Sequence, residues 1–233
     1  MATAIHRINL KFVNAYLVEA GDGYILMDTG LASQLDLLKE AVASILAAAG
    51  RADAKIKLIV LTHFDGDHVG NAVALRDYYG APLAMHEFDA EISGGAKVPE
   101  RKVNSLMFRL LMAAMGLAKR LSAGFSSPPA FKADVLLCEG EDLEAYDCDA
   151  SVLLLAGHTP GSIGILTGDG DLLSGDALQN RLHPALSPLV ASDADYEATL
   201  SHLRALSASL RTVYPGHGNP FPGSAIDSIK ACF

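Results

Sequence analysis

Thr62-His63-Phe64-Asp65-Gly66-Asp67-His68-Val69-Gly70 packs two imidazoles and two carboxylates between His63 and His68. It follows Ile56 to Leu61, a continuous apolar run of strand character that stops at Thr62. Polar side chains crowded at the end of a buried strand mark a loop that carries function rather than packing. Carboxylates this close repel each other and hold their protons, whereas a divalent cation turns that repulsion into coordination. Metal binding is the economical reading of the cluster, set against a solvated acidic turn for Asp65 and Asp67 alone.

Three further stretches repeat the theme downstream: Gly157-His158-Thr159-Pro160-Gly161-Ser162, Gly175-Asp176, and Tyr214-Pro215-Gly216-His217-Gly218. Each places a metal-competent side chain beside glycine where a strand is expected to end. Glycine lets the backbone turn sharply and approach an ion, and loops on a rigid sheet hold side chains to the tolerance a metal demands. Any one of them alone reads as an ordinary turn. Together with the first cluster they read as one site.

Working outward, Ile5 to Leu10, Ala15 to Val18 and Tyr24 to Met27 alternate with turn residues and predict a β-meander ending at Asp28-Thr29-Gly30. Ser33 and Asp36 resemble a capping box ahead of a helix that reaches Gly50. A second helix is expected from Ala72 to Tyr79 and a short strand from Pro82 to Met85. Strands follow at Val135 to Leu137, Val152 to Leu155, Ile163 to Thr167 and Leu172 to Ser174. A helix from about Tyr196 to Ala208, a strand at Thr212 to Tyr214 and a short terminal helix complete the chain. Two successive strand-then-helix halves predict a sheet-on-sheet core with helices outside.

One stretch fits neither half. Val98 to Leu121 is helix-like and rich in methionine. An apolar stripe of Leu106, Arg109, Leu110, Ala113, Ala114, Leu117 and Leu121 is flanked by Arg101, Lys102, Lys119 and Arg120. It reads as a lid over the site, with core packing or a homodimer interface as the competing readings.

A length of 233 residues, 50% of them hydrophobic and 19% charged, suits one globular domain spanning 1–233 with a helical insertion at about 95–130. A formal charge of −9 disfavours a nucleic-acid partner, which needs a basic stripe. No run approaches a membrane span, and the start lacks the basic and apolar regions of a secretion signal. Cys138, Cys148 and Cys232 form neither a CxxC pair nor a disulfide framework, so a cytoplasmic location is expected.

His63-Phe64-Asp65-Gly66-Asp67-His68, followed by His158, Asp176 and His217, resembles the signature of the metallo-β-lactamase superfamily, with Leu26-Met27-Asp28-Thr29-Gly30 similar to its first motif. The resemblance covers nearly the whole chain. It implies an α/β fold, a four-layer αββα sandwich of two mixed β-sheets with helices outside. It also implies two divalent ions, zinc first among them, with iron or manganese as alternatives. His63, Asp65 and His158 would hold one ion, Asp67, His68 and His217 the other, and Asp176 would bridge both together with a hydroxide. The implied reaction is hydrolysis of an ester, lactone, thioester or related bond of a small-molecule substrate, with Asp67 as the candidate catalytic acid/base beside its role as ligand. An iron-dependent oxygenase or redox protein, and a silent binding module on the same fold, are the other readings.

The chain departs from the HxHxDH pattern at one place, because Asp65 stands where the second His is expected. A carboxylate is harder and anionic, so the first site should be more negative and more tolerant of iron or manganese, and Asp65→His should favour zinc. Asp28 is expected near the cluster, orienting a ligand or ending the meander. The tyrosine that lactonases of this superfamily place shortly after the bridging aspartate is replaced by Ala177-Leu178-Gln179-Asn180. His183 reads as a loop residue with a chance of touching substrate, and His6, His86 and His202 as structural or surface residues.

Overall fold

The computed structural model describes residues 3–105, 109–110, 113 and 130–230. The opening meander forms as expected: β1 (Ile5–Asn9), β2 (Asn14–Ala20) and β3 (Gly23–Met27) pair antiparallel. Helix α1 (Leu35–Ala48) returns the chain to β4 (Ile56–Val60), which lies parallel to β3. Then come α2 (Gly66–Val69), α3 (Ala72–Tyr79), β5 (Leu83–His86), α4 (Glu87–Ser93), β6 (Lys102–Val103) and β7 (Val135–Leu137). The first sheet has the order β1-β2-β3-β4-β5-β7 and is mixed.

The second sheet draws on β8 (Ala150–Leu154), β9 (Ile163–Thr167), β10 (Asp171–Asn180), β11 (Ala185–Leu186), β13 (Thr212–Gly218) and β14 (Phe221–Pro222). Its order is β14-β13-β10-β9-β8, with β11 beside β10; β10 and β13 run parallel and the other pairs antiparallel. Between β11 and β13 lie β12 (Leu189–Val190), which pairs with β6, and helix α5 (Asp193–Leu206).

The layering follows from the period-2 alternation of strands. In β3, Tyr24 and Leu26 face the layer that holds Leu38, Val42 and Leu46 of α1 and Leu75 of α3, while Ile25 and Met27 face the other sheet. In the second sheet Val152 and Leu173 meet that same inter-sheet layer, while their neighbours Leu153 and Leu172 pack with Leu200 and Leu203 of α5. Three apolar layers between four layers of secondary structure make the αββα sandwich. Because both faces of β3 are covered, all five of its residues are buried. Removing a side chain such as the fully buried Leu26 costs about 2–5 kcal/mol.

Several boundaries differ from the sequence expectation. Gln34, not Ser33, closes the turn before α1, its Oε1 accepting from the Leu31 N–H at 2.9 Å and its Nε2 donating to the Leu10 carbonyl. Helix α5 starts three residues earlier than expected because Ser192 caps it, accepting from the Asp195 N–H. The strand expected to end at Ser174 runs on to Asn180, and the one expected to end at Tyr214 runs on to Gly218, because β10 and β13 pair with each other. The terminal helix is a 3-10 helix at Gly223–Ser228.

Of the insertion expected at about 95–130, residues 95–101 contain no helix and lead into the two-residue strand β6. Arg109 and Leu110 are helical and exposed, and most of the stripe from Leu106 to Leu121 lies outside the described residues, as does Cys232. Among the described residues no helix is long and apolar enough to cross a membrane.

Candidate metal centre

Seven side chains anticipated from the sequence meet at one end of the inter-sheet cleft. His63 and Asp65 stand in the loop after β4, Asp67 and His68 in α2, His158 between β8 and β9, Asp176 in β10 and His217 in β13. Asp176 does not sit in a turn. It lies in β10 within the register shift against β13 that separates the pairs Gly175–Pro215 and Gln179–His217, where the strand departs from regular pairing. His217 likewise lies within β13. The imidazoles form a file, with ring centroids 4.7 Å apart for His158 and His63, 4.2 Å for His63 and His68, and 5.5 Å for His68 and His217.

Two sets can each close on one ion: His63, His158 and Asp176, and Asp67, His68 and His217, with the ligand atoms of each set all within 4.8 Å of one another. Asp65 lies beside the first set, its Oδ2 3.5 Å from His63 Nε2 and 3.1 Å from His158 Nε2. Asp176 touches both sets, 3.9 Å from His158 Nε2 in the first and 3.3 Å from His68 Nε2 and 3.1 Å from His217 Nε2 in the second.

Every imidazole is gripped from behind through Nδ1. His63 Nδ1 meets Thr62 Oγ1 at 2.9 Å, His68 Nδ1 meets Asp28 Oδ2 at 2.8 Å, His158 Nδ1 meets the Leu189 carbonyl at 2.9 Å, and His217 Nδ1 meets the Phe12 carbonyl. With Nδ1 engaged on the outer side, each Nε2 points inward toward the others. His63 Nε2, His68 Nε2 and Asp176 Oδ1 are buried and make no well-formed hydrogen bond, their charge contacts being only His63 to Asp65 at 3.5 Å and His68 to Asp176 at 3.3 Å. An orphaned buried polar atom costs about 1–3 kcal/mol, and here three converge with donor chemistry that suits a divalent cation. The residues present fit the metals the fold implies.

The electrostatics agree. Burial pushes the Asp176 carboxyl up, but the charges of His217 and His68 outweigh it and hold Asp176 well below the usual carboxylate range. Burial likewise opposes ionisation of Asp67, yet His68 and His217 draw it down. In the other direction, burial disfavours a charged His68, while Asp28, Asp176 and Asp67 raise it well above the ordinary histidine value. His217 is pushed up to about 9, burial opposing and Asp176 prevailing. In this arrangement protons stand where cations belong. Asp67 is the most open of the three aspartates, its side chain 34% exposed against 16% for Asp65 and 9% for Asp176.

Asp28 occupies the position next to the ligands that the sequence suggested. At φ 62° on the turn after β3, its carboxylate accepts from the Thr62 N–H at 2.9 Å, from the Thr62 hydroxyl and from His68 Nδ1. Glycine at 216 is required by proximity: a Cβ there would fall 2.3 Å from Asp176 Oδ1 and 2.8 Å from His68 Cε1.

Two participants carried no motif. Asp89, fully buried on α4, accepts from the Phe64 N–H, the Gly161 N–H and the Thr159 hydroxyl, clamping the loop after β4 to the loop of His158. Arg101, assigned from sequence to the basic rim of the apolar stripe, grips Asp65 with both terminal nitrogens. His183 is exposed, with Nδ1 near its neighbour Pro184's carbonyl, and His202 is exposed on α5. His86 caps α4, and His6 lies near Glu19; neither reaches the cluster. Of the cysteines, Cys138 is exposed and Cys148 buried, both free.

A family model described as the metallo-beta-lactamase superfamily matches residues 8–217. The chain is 23% identical to the probable metallo-hydrolase YflN of Bacillus subtilis (strain 168), over 95% of this chain and 86% of that protein. Among solved structures, the B3 metallo-beta-lactamase BLEG-1 superposes with a TM-score of 0.66 at 22% identity, over 95% of each chain. The protein TTHA1623, crystallised in a di-iron-bound form, gives 0.62 at 25% identity, over 95% of this chain and 96% of that one. BJP-1, a subclass B3 enzyme of Bradyrhizobium japonicum, gives 0.66 at 22% identity, over 96% and 85%.

Proposed function

This chain belongs to the metallo-beta-lactamase superfamily, and on that premise we propose that it is a hydrolase that holds two divalent ions and cleaves an ester, lactone, thioester or related bond of a small molecule. The observation that carries the reading is the pair of three-residue sets, with three buried donor atoms among them that make no well-formed hydrogen bond. His63, Asp65 and His158 serve the first ion, Asp67, His68 and His217 the second, and Asp176 both.

Bound divalent ions supply Lewis-acid chemistry, lowering the pKa of water toward neutrality and polarising the bond to be cleaved. The chain's own part is positional and protonic. Thr62, Asp28, Leu189 and Phe12 fix the four imidazoles so that little reorganisation is needed. Asp67, the most open carboxylate, is placed to take a proton from the attacking water and pass it to the leaving group. The residues after Asp176, Ala177-Leu178-Gln179-Asn180, offer no phenol to the leaving group. Esters and thioesters therefore rank ahead of lactones as substrates.

Zinc is the proposed native metal. Elemental analysis of protein purified without added metal should find two first-row ions per chain, and His68→Ala with His217→Ala should empty one site only. Hydrolysis of a panel of ester, thioester, lactone and lactam substrates should require both sites. Tightly held iron with a redox-linked absorbance and no hydrolysis would favour an oxygenase or redox protein. Two metals without turnover of any kind would favour a binding module, and absence of metal even after reconstitution refutes the reading.

A further inference from the structure

We infer that Arg101 is a positioning residue for the first metal set, and that Asp65 and Arg101 act together as one neutral unit in the place where an imidazole is expected. The inference rests on the reading of the cluster as a metal centre, and concerns which of this chain's residues set the charge of its first site.

The geometry is that of a fork on a fork. Arg101 NH2 donates to Asp65 Oδ1 at 2.6 Å and NH1 to Oδ2 at 2.8 Å. Side-chain exposure is 13% for the arginine and 16% for the aspartate, so water does little to screen the pair. The guanidinium carbon also stands 4.9 Å from the centre of the Phe64 ring, a face that attracts a cation.

The backbone that carries Arg101 is tied to the same ligands. Strand β6 pairs with β12, matching Val103 with Leu189 and Lys102 with Val190. The Leu189 carbonyl on that strand is the acceptor for His158 Nδ1, and the Ala191 N–H donates to the Gly157 carbonyl. One short strand thus fixes both the imidazole of His158 and the arginine that pairs with Asp65. Arg101 NH1 comes within 3.4 Å of His158 Nε2, the atom that would face an ion held by this set.

A guanidinium keeps its charge at every accessible pH. Asp65 with Arg101 therefore sums to the charge of a neutral imidazole. The expectation that Asp65 makes the first site more negative, and that Asp65→His alone improves it for zinc, omits this partner. Removing one member of a largely buried ion pair strands the other. Asp65→His leaves an unpaired cation beside His158 Nε2, opposing any metal there. Arg101→Met leaves a bare carboxylate, the hard anionic environment that favours manganese over zinc.

The test measures zinc and manganese binding by competition with a chromophoric chelator, with stoichiometry from elemental analysis. It compares the wild-type protein with Arg101→Met, Asp65→His and the double variant, and needs no substrate. Asp65→His should weaken zinc at the first site at least about tenfold, the scale on which partners of metal ligands act. Adding Arg101→Met should restore much of that loss, and Arg101→Met alone should shift selectivity toward manganese. Arg101→Gln replaces methionine if unfolding curves show that variant to be misfolded. Zinc bound by Asp65→His as tightly as by wild type, or a double variant no better than Asp65→His, overturns the pairing while leaving the metal centre intact. Wild-type protein that takes up no metal overturns the metal centre itself and this inference with it.

Discussion

Stripping the metals and raising the pH should destabilise this protein through the histidines that metals would otherwise occupy. His217 has an ordinary value of 6.5 and rises to about 9 in the folded chain, with its side chain only 6% exposed. A group whose folded pKa exceeds its unfolded value stabilises the fold fully below the unfolded value, and loses that contribution as pH climbs through the folded one. Between pH 6.5 and 9 the folded protein holds protons that the unfolded chain has released, so stability must fall. At about 1.4 kcal/mol per pH unit the loss from His217 alone is about 3 kcal/mol. His68 is shifted in the same direction and adds to it. The depressed carboxylates of Asp65, Asp67 and Asp176 act only in acid and do not enter this window. Urea unfolding of chelator-treated protein should show the midpoint dropping by roughly 1 M or more between pH 6.5 and 9. His217→Gln should remove much of that slope. Zinc competes with the same protons, so its affinity should tighten over the same range. Metal-free stability that stays level or rises from pH 6.5 to 9, or a full slope in His217→Gln, refutes the argument.

Two substitutions probe how the ligands are held. Asp28→Ala removes the acceptor that orients His68 and satisfies Thr62, and should weaken metal at the second site by about 10–100-fold, with Asp28→Asn milder because asparagine tolerates positive φ; isothermal titration with zinc reads the difference. Gly216→Ala drives a Cβ against Asp176 Oδ1 and His68 Cε1, so both ions should bind more weakly while circular dichroism stays that of the parent.

Elements whose signal is local were legible in the sequence. Strand β3 announces itself by a short apolar run between glycine-containing turns, and α1 by the spacing of Leu38, Val42 and the residues around them. All seven ligand candidates were readable because metal chemistry restricts residue type so severely. What escaped depends on distant partners. The extensions of β10 and β13 exist because each supplies the other's hydrogen bonds, across some forty residues of chain as in the Gln179–His217 pair. Arg101 meets Asp65 across a separation of 36 residues, and Asp89 meets Gly161 across 72. No periodicity or spacing encodes such contacts; they follow from where β6 and α4 come to rest. The helix α4 itself is short and leans on His86 for its cap, a residue that reads as unremarkable in the sequence.

Each candidate set takes its members from both halves of the chain: His63, in the loop after β4, joins His158 and Asp176, and Asp67 and His68, in α2, join His217. Neither half of the chain, folded alone, possesses three ligands for one of these sets. An ion seated there is consequently a rivet through the sandwich, joining residues 95 and 149 positions apart in the pairs His63–His158 and His68–His217. Metal uptake would then report that the two halves have docked in register.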